Sequence, residues 1–170
     1  MSDQPLDAAT IERLLGEVAN ELGDGPEQTV IVVGGALLAL HGLREATRDV
    51  DSVERVGPEL RAAIARVATR HDLAPRWLND SASSFLPATF DRRECSEIMT
   101  RRSFRVLGAP LDQVFLMKLF ASRALDTDDL EALWPCCSFG SPEAAAAAFY
   151  QAYPLEERDQ HLADHIRAII

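Results

Sequence analysis

A run of β-branched residues that stops at two consecutive glycines constrains the fold of this chain more than any other feature. Residues 29–33 are the β-branched run of a buried strand, and Gly34-Gly35 ends it. The next residues, 36–40, favour a short apolar helix. The pattern therefore predicts a strand, a glycine turn and a helix in succession. In such a turn the backbone can approach a phosphate closely.

Two aspartates follow the glycine pair. Residues 49–53 predict a second strand, in which Asp49 and Asp51 flank Val50. Because alternate strand residues point the same way, both carboxylates face one side while Val50 faces the core. Two such carboxylates repel each other unless a cation relieves them, and Mg²⁺ takes carboxylate, phosphate and water oxygens. Beside a phosphate-binding turn, the pair predicts Mg²⁺-dependent nucleotide chemistry.

Both features also have ordinary structural explanations. Glycine pairs often form plain strand-to-helix turns, without any ligand. The two aspartates lie close in sequence to Arg44, Arg48 and Arg55, with which they can form surface ion pairs. The metal interpretation is favoured because the glycine pair and the aspartates occur together.

The remaining periodicity predicts an α/β core followed by helices. In the core, helices are predicted over residues 6–22 and 58–68, with further strands near 77–78, 95–99 and 103–107. Four helices are predicted after the core, over residues 111–124, 127–134, 142–153 and 155–170. A length of 170 residues fits a single domain, 1–170, with a core over 1–108 and a helical extension over 109–170.

Charge and composition exclude several classes of protein. With 17 Lys and Arg against 27 Asp and Glu, the net charge of −10 argues against a protein that coats DNA or a membrane surface. The longest uncharged run, residues 28–40, is too short to span a bilayer. Three cysteines without metal-ligand spacing predict reduced thiols and a cytoplasmic protein. The sequence leaves open whether Arg92-Arg93 and Arg101-Arg102 contact RNA or protect a sheet edge.

The two motifs resemble the signature of the DNA polymerase β-like nucleotidyltransferases. The resemblance rests on the glycine pair, Arg44, Thr47 and the Asp49-x-Asp51 spacing, and it is nearest to minimal nucleotidyltransferases and AbiEii-type toxin relatives. A second block, residues 116–130, is similar to the K-x-x-x-x-R-x-x-D-x-x-D-[LI] segment that follows the core in such proteins. The resemblance implies an α+β minimal nucleotidyltransferase core, with a small mixed sheet flanked by helices, and a C-terminal helical extension.

The resemblance also implies roles for individual residues. Asp49 and Asp51 would be catalytic ligands of Mg²⁺, and Lys118 a catalytic cation. The implied nucleotide-binding residues are Gly34, Gly35, Arg44, Thr47 and Arg123. Active members present a third carboxylate from a later strand, for which Asp80 is the first choice in this chain and Glu97 the second. Asp126 and Asp129 would either enter the site or cap the helix that begins near Thr127.

The implied reaction is transfer of a nucleoside monophosphate from an NTP to a hydroxyl group, with release of pyrophosphate. The acceptor would be a tRNA or a protein, and a toxin-like enzyme would have an antitoxin partner. The alternative is a catalytically degenerate nucleotide-binding or regulatory module with the same fold. A metal-dependent phosphohydrolase also uses paired carboxylates, but the glycine turn and the Lys118 block do not support it.

Overall fold

The computed structural model describes residues 4–121 and 127–170, which form two compact units. The first unit contains the described residues up to Ser84 together with Cys95–Ala109, and the second contains Phe85–Glu94 and the described residues from Pro110 onward. In chain order, the helices and strands are α1 (Ala8–Leu22), β1 (Gln28–Val33), α2 (Gly34–Leu40), β2 (Val50–Ser52), α3 (Pro58–His71), β3 (Leu78–Asn79), β4 (Ser96–Arg101), β5 (Phe104–Gly108), α4 (Leu111–Ala121), α5 (Thr127–Leu133), α6 (Pro142–Ala152) and α7 (Leu162–Ile169). The predicted α+β class is confirmed. The single-domain assignment stays a prediction, which limited proteolysis would test.

The sheet of the first unit is mixed and has five strands in the order β3-β2-β1-β5-β4. β1 lies in the middle and pairs antiparallel with β2 and parallel with β5. β2 pairs parallel with β3, and β4 pairs antiparallel with β5. The last four residues of β1 are fully buried, as expected for a central strand covered on both faces. The short second strand and the glycine turn are therefore held next to the core strand of the unit.

Helices α1 and α3 pack against each other through charged residues as well as their apolar faces. Glu17 on α1 lies 2.9 Å from Arg70 Nη1 and 2.8 Å from His71 Nε2 on α3. Glu21 lies 2.6 Å from Arg66 Nε and also contacts Arg70. Partial burial would raise the pKa of Glu17, but hydrogen bonds from His71 and Arg70 outweigh it and hold this pKa below its ordinary value of 4.5. Hydrogen bonds from Arg66 and Arg70 likewise lower the pKa of Glu21.

We expect acid to destabilise the protein through these two glutamates. Because each pKa is lowered in the folded state, the stabilisation is fully present above about pH 4.5 and is lost as the pH falls through the folded-state pKa. Glu17→Gln should lower the Tm near neutral pH by about 2–4 °C, the shift for a surface loss of about 1 kcal/mol. Thermal melts from neutral pH to about pH 3 measure this. A variant whose deficit stays constant over that range would contradict the prediction.

The last helix is shorter than its sequence pattern predicts. The prediction of helix over residues 155–161 is wrong, because α7 begins only at Leu162. Tyr150 on α6 accepts a hydrogen bond from the Asp159 N–H at 2.6 Å and donates one to the Asp159 carbonyl at 3.2 Å. Leu155 is almost fully exposed, so its side chain makes no packing contacts that would stabilise a helix beginning there. This tertiary contact thus occupies the N–H and the carbonyl of Asp159, which would form intrahelical hydrogen bonds in a longer helix.

None of the helices in residues 4–121 and 127–170 is both long and apolar enough to cross a membrane. The predicted helix over residues 111–124 corresponds to α4, Leu111–Ala121, and residues 122–124 lie outside the described residues.

Candidate functional site

The glycine turn and the second aspartate meet because β1 pairs with β2. Val33, the last residue of β1, is the register partner of Asp51. Gly34 follows as the first residue of α2, so the glycine turn is the junction of β1 and α2. Its φ of +61° is a left-handed conformation that favours glycine. A Cβ built on Gly34 would lie 3.6 Å from Asp51 Oδ2, which is the only described atom within 4 Å of that position apart from the local backbone. The turn therefore leaves open space directly beside a carboxylate.

Gly35 lies against the loop that leads from α2 to β2. A Cβ on Gly35 would lie 2.8 Å from Thr47 Oγ1 and 3.5 Å from Arg44 Nη1, so a larger residue would displace Thr47. Arg44 Nε donates to the Ala46 carbonyl at 2.8 Å, which holds the guanidinium close to the loop. The structure therefore gathers Gly34, Gly35, Arg44 and Thr47 around one turn, although they span fourteen residues of sequence.

The two aspartates differ in their surroundings. Val50 is fully buried, and its N–H donates to the Trp77 carbonyl at 2.6 Å, so the prediction that Val50 faces the core is confirmed. Asp51 is partly exposed on the opposite side of β2. Asp49 lies one residue before the strand and is exposed to solvent. Both carboxylates are therefore placed where a ligand can reach them.

The residue that neighbours Asp51 on β3 is an amide. Asp51 is in register with Asn79, so their side chains share a face of the sheet, and Asn79 Oδ1 accepts the Ser81 N–H at 2.9 Å. Asp80 is the next residue and lies just beyond the end of β3. Its Oδ2 accepts the Val56 N–H at 3.0 Å, which ties Asp80 to the chain that follows β2. The catalytic role of Asp80 stays a prediction.

Glu97 is the second residue that the sequence offers as a third carboxylate. It lies on β4, at the sheet edge opposite to the one formed by β3. Three strand spacings separate β4 from β2, which amounts to about 14 Å. Glu97 lies 3.7 Å from Arg105 on β5 instead. The choice of Glu97 is therefore wrong, because its strand lies on the far side of the sheet.

Lys118 lies in the second unit and forms a buried ion pair. Its Nζ lies 2.7 Å from Asp129 Oδ2, with 11% and 7% of the two side chains exposed. The pair connects α4 to the first turn of α5. Arg123 and Asp126, which belong to the same sequence block, lie outside the described residues. Asp129 thus contacts Lys118, and the two predicted roles of Asp129, in the site or as a cap of α5, stay predictions.

Sequence reasoning missed Ser52, which secures the strand immediately after Asp51. Its side chain is fully buried, and Oγ accepts the N–H groups of Ile31 at 3.1 Å and Glu54 at 3.0 Å. The hydroxyl in turn donates to the Glu54 carbonyl at 3.1 Å. The available signal was a serine two residues from Val50, on the face that should be apolar. Ser52 fastens the end of β2 to β1.

The donor chemistry of the site fits a hard divalent cation. Asp49 and Asp51 offer carboxylate oxygens, and the side-chain-free turn at Gly34 leaves room beside Asp51. Mg²⁺ commonly takes one or two carboxylates and completes its ligands with substrate phosphates and water. Within the part of the chain that the structure describes, no three His, Cys, Asp or Glu residues are grouped as a metal site. Asp49 and Asp51 are the two residues of the site whose carboxylates could hold such an ion.

A family model described as "Nucleotidyltransferase of unknown function" (DUF6036) matches residues 10–138, about three quarters of the chain. The matched span contains the glycine pair, both aspartates and the Lys118 block. Neither the curated proteins nor the solved structures contain a significant match.

Proposed function

This chain belongs to the family of nucleotidyltransferases of unknown function, and on that premise we propose that it transfers a nucleoside monophosphate from an NTP to a hydroxyl acceptor in the presence of Mg²⁺. The observation that carries the proposal is the short distance between Gly34 and Asp51. A Cβ built on Gly34 would lie 3.6 Å from Asp51 Oδ2. A turn that lacks side chains and faces a carboxylate can hold a triphosphate and its cation together.

Each residue of the site has its own role in such a reaction. The acceptor oxygen attacks the α-phosphorus, the bond from that phosphorus to the bridging oxygen breaks, pyrophosphate leaves, and the hydroxyl proton passes to solvent. Gly34 and Gly35 let the backbone approach the triphosphate, and Arg44 supplies positive charge beside it. Asp49 and Asp51 would hold Mg²⁺, which when bound offsets the charge of the phosphates and of the departing pyrophosphate.

The acceptor, the partner and the location are further parts of this proposal. Resemblance to AbiEii-type toxin relatives supports a tRNA or a protein as the acceptor, and an antitoxin as a binding partner. The three cysteines lack metal-ligand spacing, which supports reduced thiols and a cytoplasmic location.

A second candidate is a module that binds nucleotide without turnover. The observation that favours it is the pairing of Asp51 with Asn79 on the neighbouring strand. A third carboxylate at this strand position would lie on the same face of the sheet as Asp51, but the residue there is an amide. An amide at that position cannot act as a base at neutral pH.

One labelling experiment separates these functions. The purified protein is incubated with Mg²⁺, total RNA or lysate, and each NTP carrying radioactive phosphorus at the α-position. Label that appears in RNA or protein, and disappears with EDTA, supports the transferase. Saturable nucleotide binding without product indicates the module. Release of inorganic phosphate from a γ-labelled NTP, without transfer, indicates a hydrolase and contradicts the proposal.

Gly34→Ala is expected to abolish most transfer at a modest cost in stability. An alanine at a φ of +61° costs about 1–2 kcal/mol, and its methyl group would occupy the space beside Asp51. We expect transfer to fall at least about tenfold, from displacement of the bound phosphates by roughly an ångström. Initial rates and thermal melts measure the two effects.

Two other glycines provide matched controls for Gly34. Gly23 and Gly42 have φ values of +64° and +70°, and a Cβ on either would meet nothing within 4 Å. Alanine at these positions should therefore cost comparable stability while leaving the transfer rate of the folded protein unchanged. Equal losses of transfer in all three variants would show that backbone strain, and not the space beside Asp51, explains the effect.

A further inference from the structure

The segment that precedes α1 is hydrogen-bonded to the loop that carries part of the site. The Leu6 N–H donates to the Thr47 carbonyl at 2.7 Å, and the Thr47 N–H donates to the Leu6 carbonyl at 2.9 Å. These two bonds form an isolated antiparallel bridge. Leu6 is 1% exposed and Thr47 is 8% exposed, so the bridge lies inside the first unit. Both backbone groups of Thr47 are thus satisfied by a residue forty-one positions earlier.

The position of Thr47 determines the shape of the site. Its Oγ1 lies 2.8 Å from where a Cβ on Gly35 would be, so Thr47 borders the space above the glycine turn. Thr47 is also only two residues before Asp49 in the chain. A shift of Thr47 would therefore change the space beside Gly35 and would also move the residues that lead into β2.

The buried side chain of Leu6 is what keeps this bridge closed. When the bridge opens, water replaces its two backbone hydrogen bonds, so their net contribution is small. Exposure of the Leu6 side chain has no such compensation, because water does not replace apolar contacts. The side chain thus acts at a distance from any ligand, through the backbone of Thr47.

We propose that Leu6 is a positioning residue of the nucleotide site, which it serves by holding Thr47 against Gly35. This inference rests on the proposed nucleotidyltransferase function. Opening the bridge lets the loop fluctuate locally without unfolding the sheet, because local openings need less free energy than global unfolding. A displacement of about 1 Å in a bound substrate can cost on the order of 10²-fold in rate.

The test uses Leu6→Ser in the full chain, with Leu6→Met as the conservative variant. We expect Leu6→Ser to lower kcat of the folded protein by about 10–100-fold with a smaller change in KM. Amide hydrogen exchange in residues 43–49 should accelerate at least about tenfold. Leu6→Met, which restores an apolar side chain of similar size, should return both values close to those of the wild type.

Leu73→Ser is the matched control. Leu73 is also a buried leucine next to a helix end, and its N–H bonds to the Ala68 carbonyl at the end of α3. Leu73→Ser should lower the Tm but leave kcat of the folded protein and exchange in residues 43–49 unchanged. A purely structural role for Leu6 predicts the same behaviour for both serine variants. If Leu6→Ser does not fold, Leu6→Ala replaces it, because alanine buries no polar group.

The outcomes separate this inference from the proposed function. Unchanged kcat or unchanged exchange in folded Leu6→Ser overturns the positioning role. If the wild type transfers no label, the proposed function fails, and the inference is then judged by binding of Mg²⁺-NTP. Weaker binding by Leu6→Ser together with faster exchange supports the positioning role, and unchanged binding overturns it.

Discussion

Replacing Asp51 with asparagine is expected to lower nucleotidyl transfer on the order of 10³-fold, which corresponds to several kcal/mol of lost charge stabilisation. The exchange keeps the size of the side chain and removes the negative charge beside Gly34. Because Asp51 is only partly buried on β2, the Tm should change little. Steady-state transfer rates with each NTP, and thermal melts of the same samples, measure both quantities.

Asp24→Asn is the control for this charge change. The Asp24 side chain is 85% exposed and lies 3.6 Å from Arg102 Nη1, so its replacement should affect neither transfer nor folding. Asp49→Asn should resemble Asp51→Asn, because the proposed cation takes both carboxylates. An Asp51→Asn variant that retains wild-type transfer would contradict the site assignment. A variant that loses activity only because it unfolds would do so as well.

Lys118→Met is expected to lower the free energy of unfolding by about 3–5 kcal/mol, the usual cost of removing one partner from a buried ion pair. The variant leaves the Asp129 carboxylate, which is 7% exposed, without the ammonium group 2.7 Å away. Lys118 is the only lysine of the chain, so no other lysine can take its place. Urea unfolding of the variant and the wild type measures the difference.

The double variant Lys118→Met/Asp129→Leu is the matched control. Replacing both charges by apolar groups of similar size should recover most of the lost stability. This variant also separates the two roles of Lys118, because it restores the fold without restoring the cation. Loss of transfer in the stable double variant supports a role in the site for the Lys118–Asp129 pair, in which the sequence resemblance implies Lys118 as the catalytic cation. A single variant as stable as the wild type would contradict the importance of the pair for folding.

The elements that sequence patterns predict well are those whose signals are local. The β-branched run followed by Gly34-Gly35 predicted β1 and α2, and the periodicity of apolar residues predicted α1 and α3. Their ends differ from the observed ones by one or a few residues. The apolar pattern that predicted helix over residues 155–161 was misleading, because Tyr150 binds the backbone of Asp159 and no sequence pattern contains that contact.

The candidate site divides in the same way. The glycine pair and the alternation of Asp49, Val50 and Asp51 were visible in the sequence because they depend on neighbours in the chain. The register that sets Asn79 beside Asp51 was not visible, since β3 has two residues and is defined by its pairing with β2. The choice of Glu97 failed for a related reason, because strand order is not a local property.

The sequence by itself determined the β-branched strand, the glycine pair that ends it and the amphipathic helices α1 and α3, because each depends on residues only a few positions apart. The tertiary structure decided that Gly34 lies against Asp51, that Thr47 lies over Gly35 and that Leu6 holds Thr47 in place. These contacts join residues far apart in the chain. They form only when strand pairing and burial of apolar side chains outweigh the conformational entropy that the loops lose.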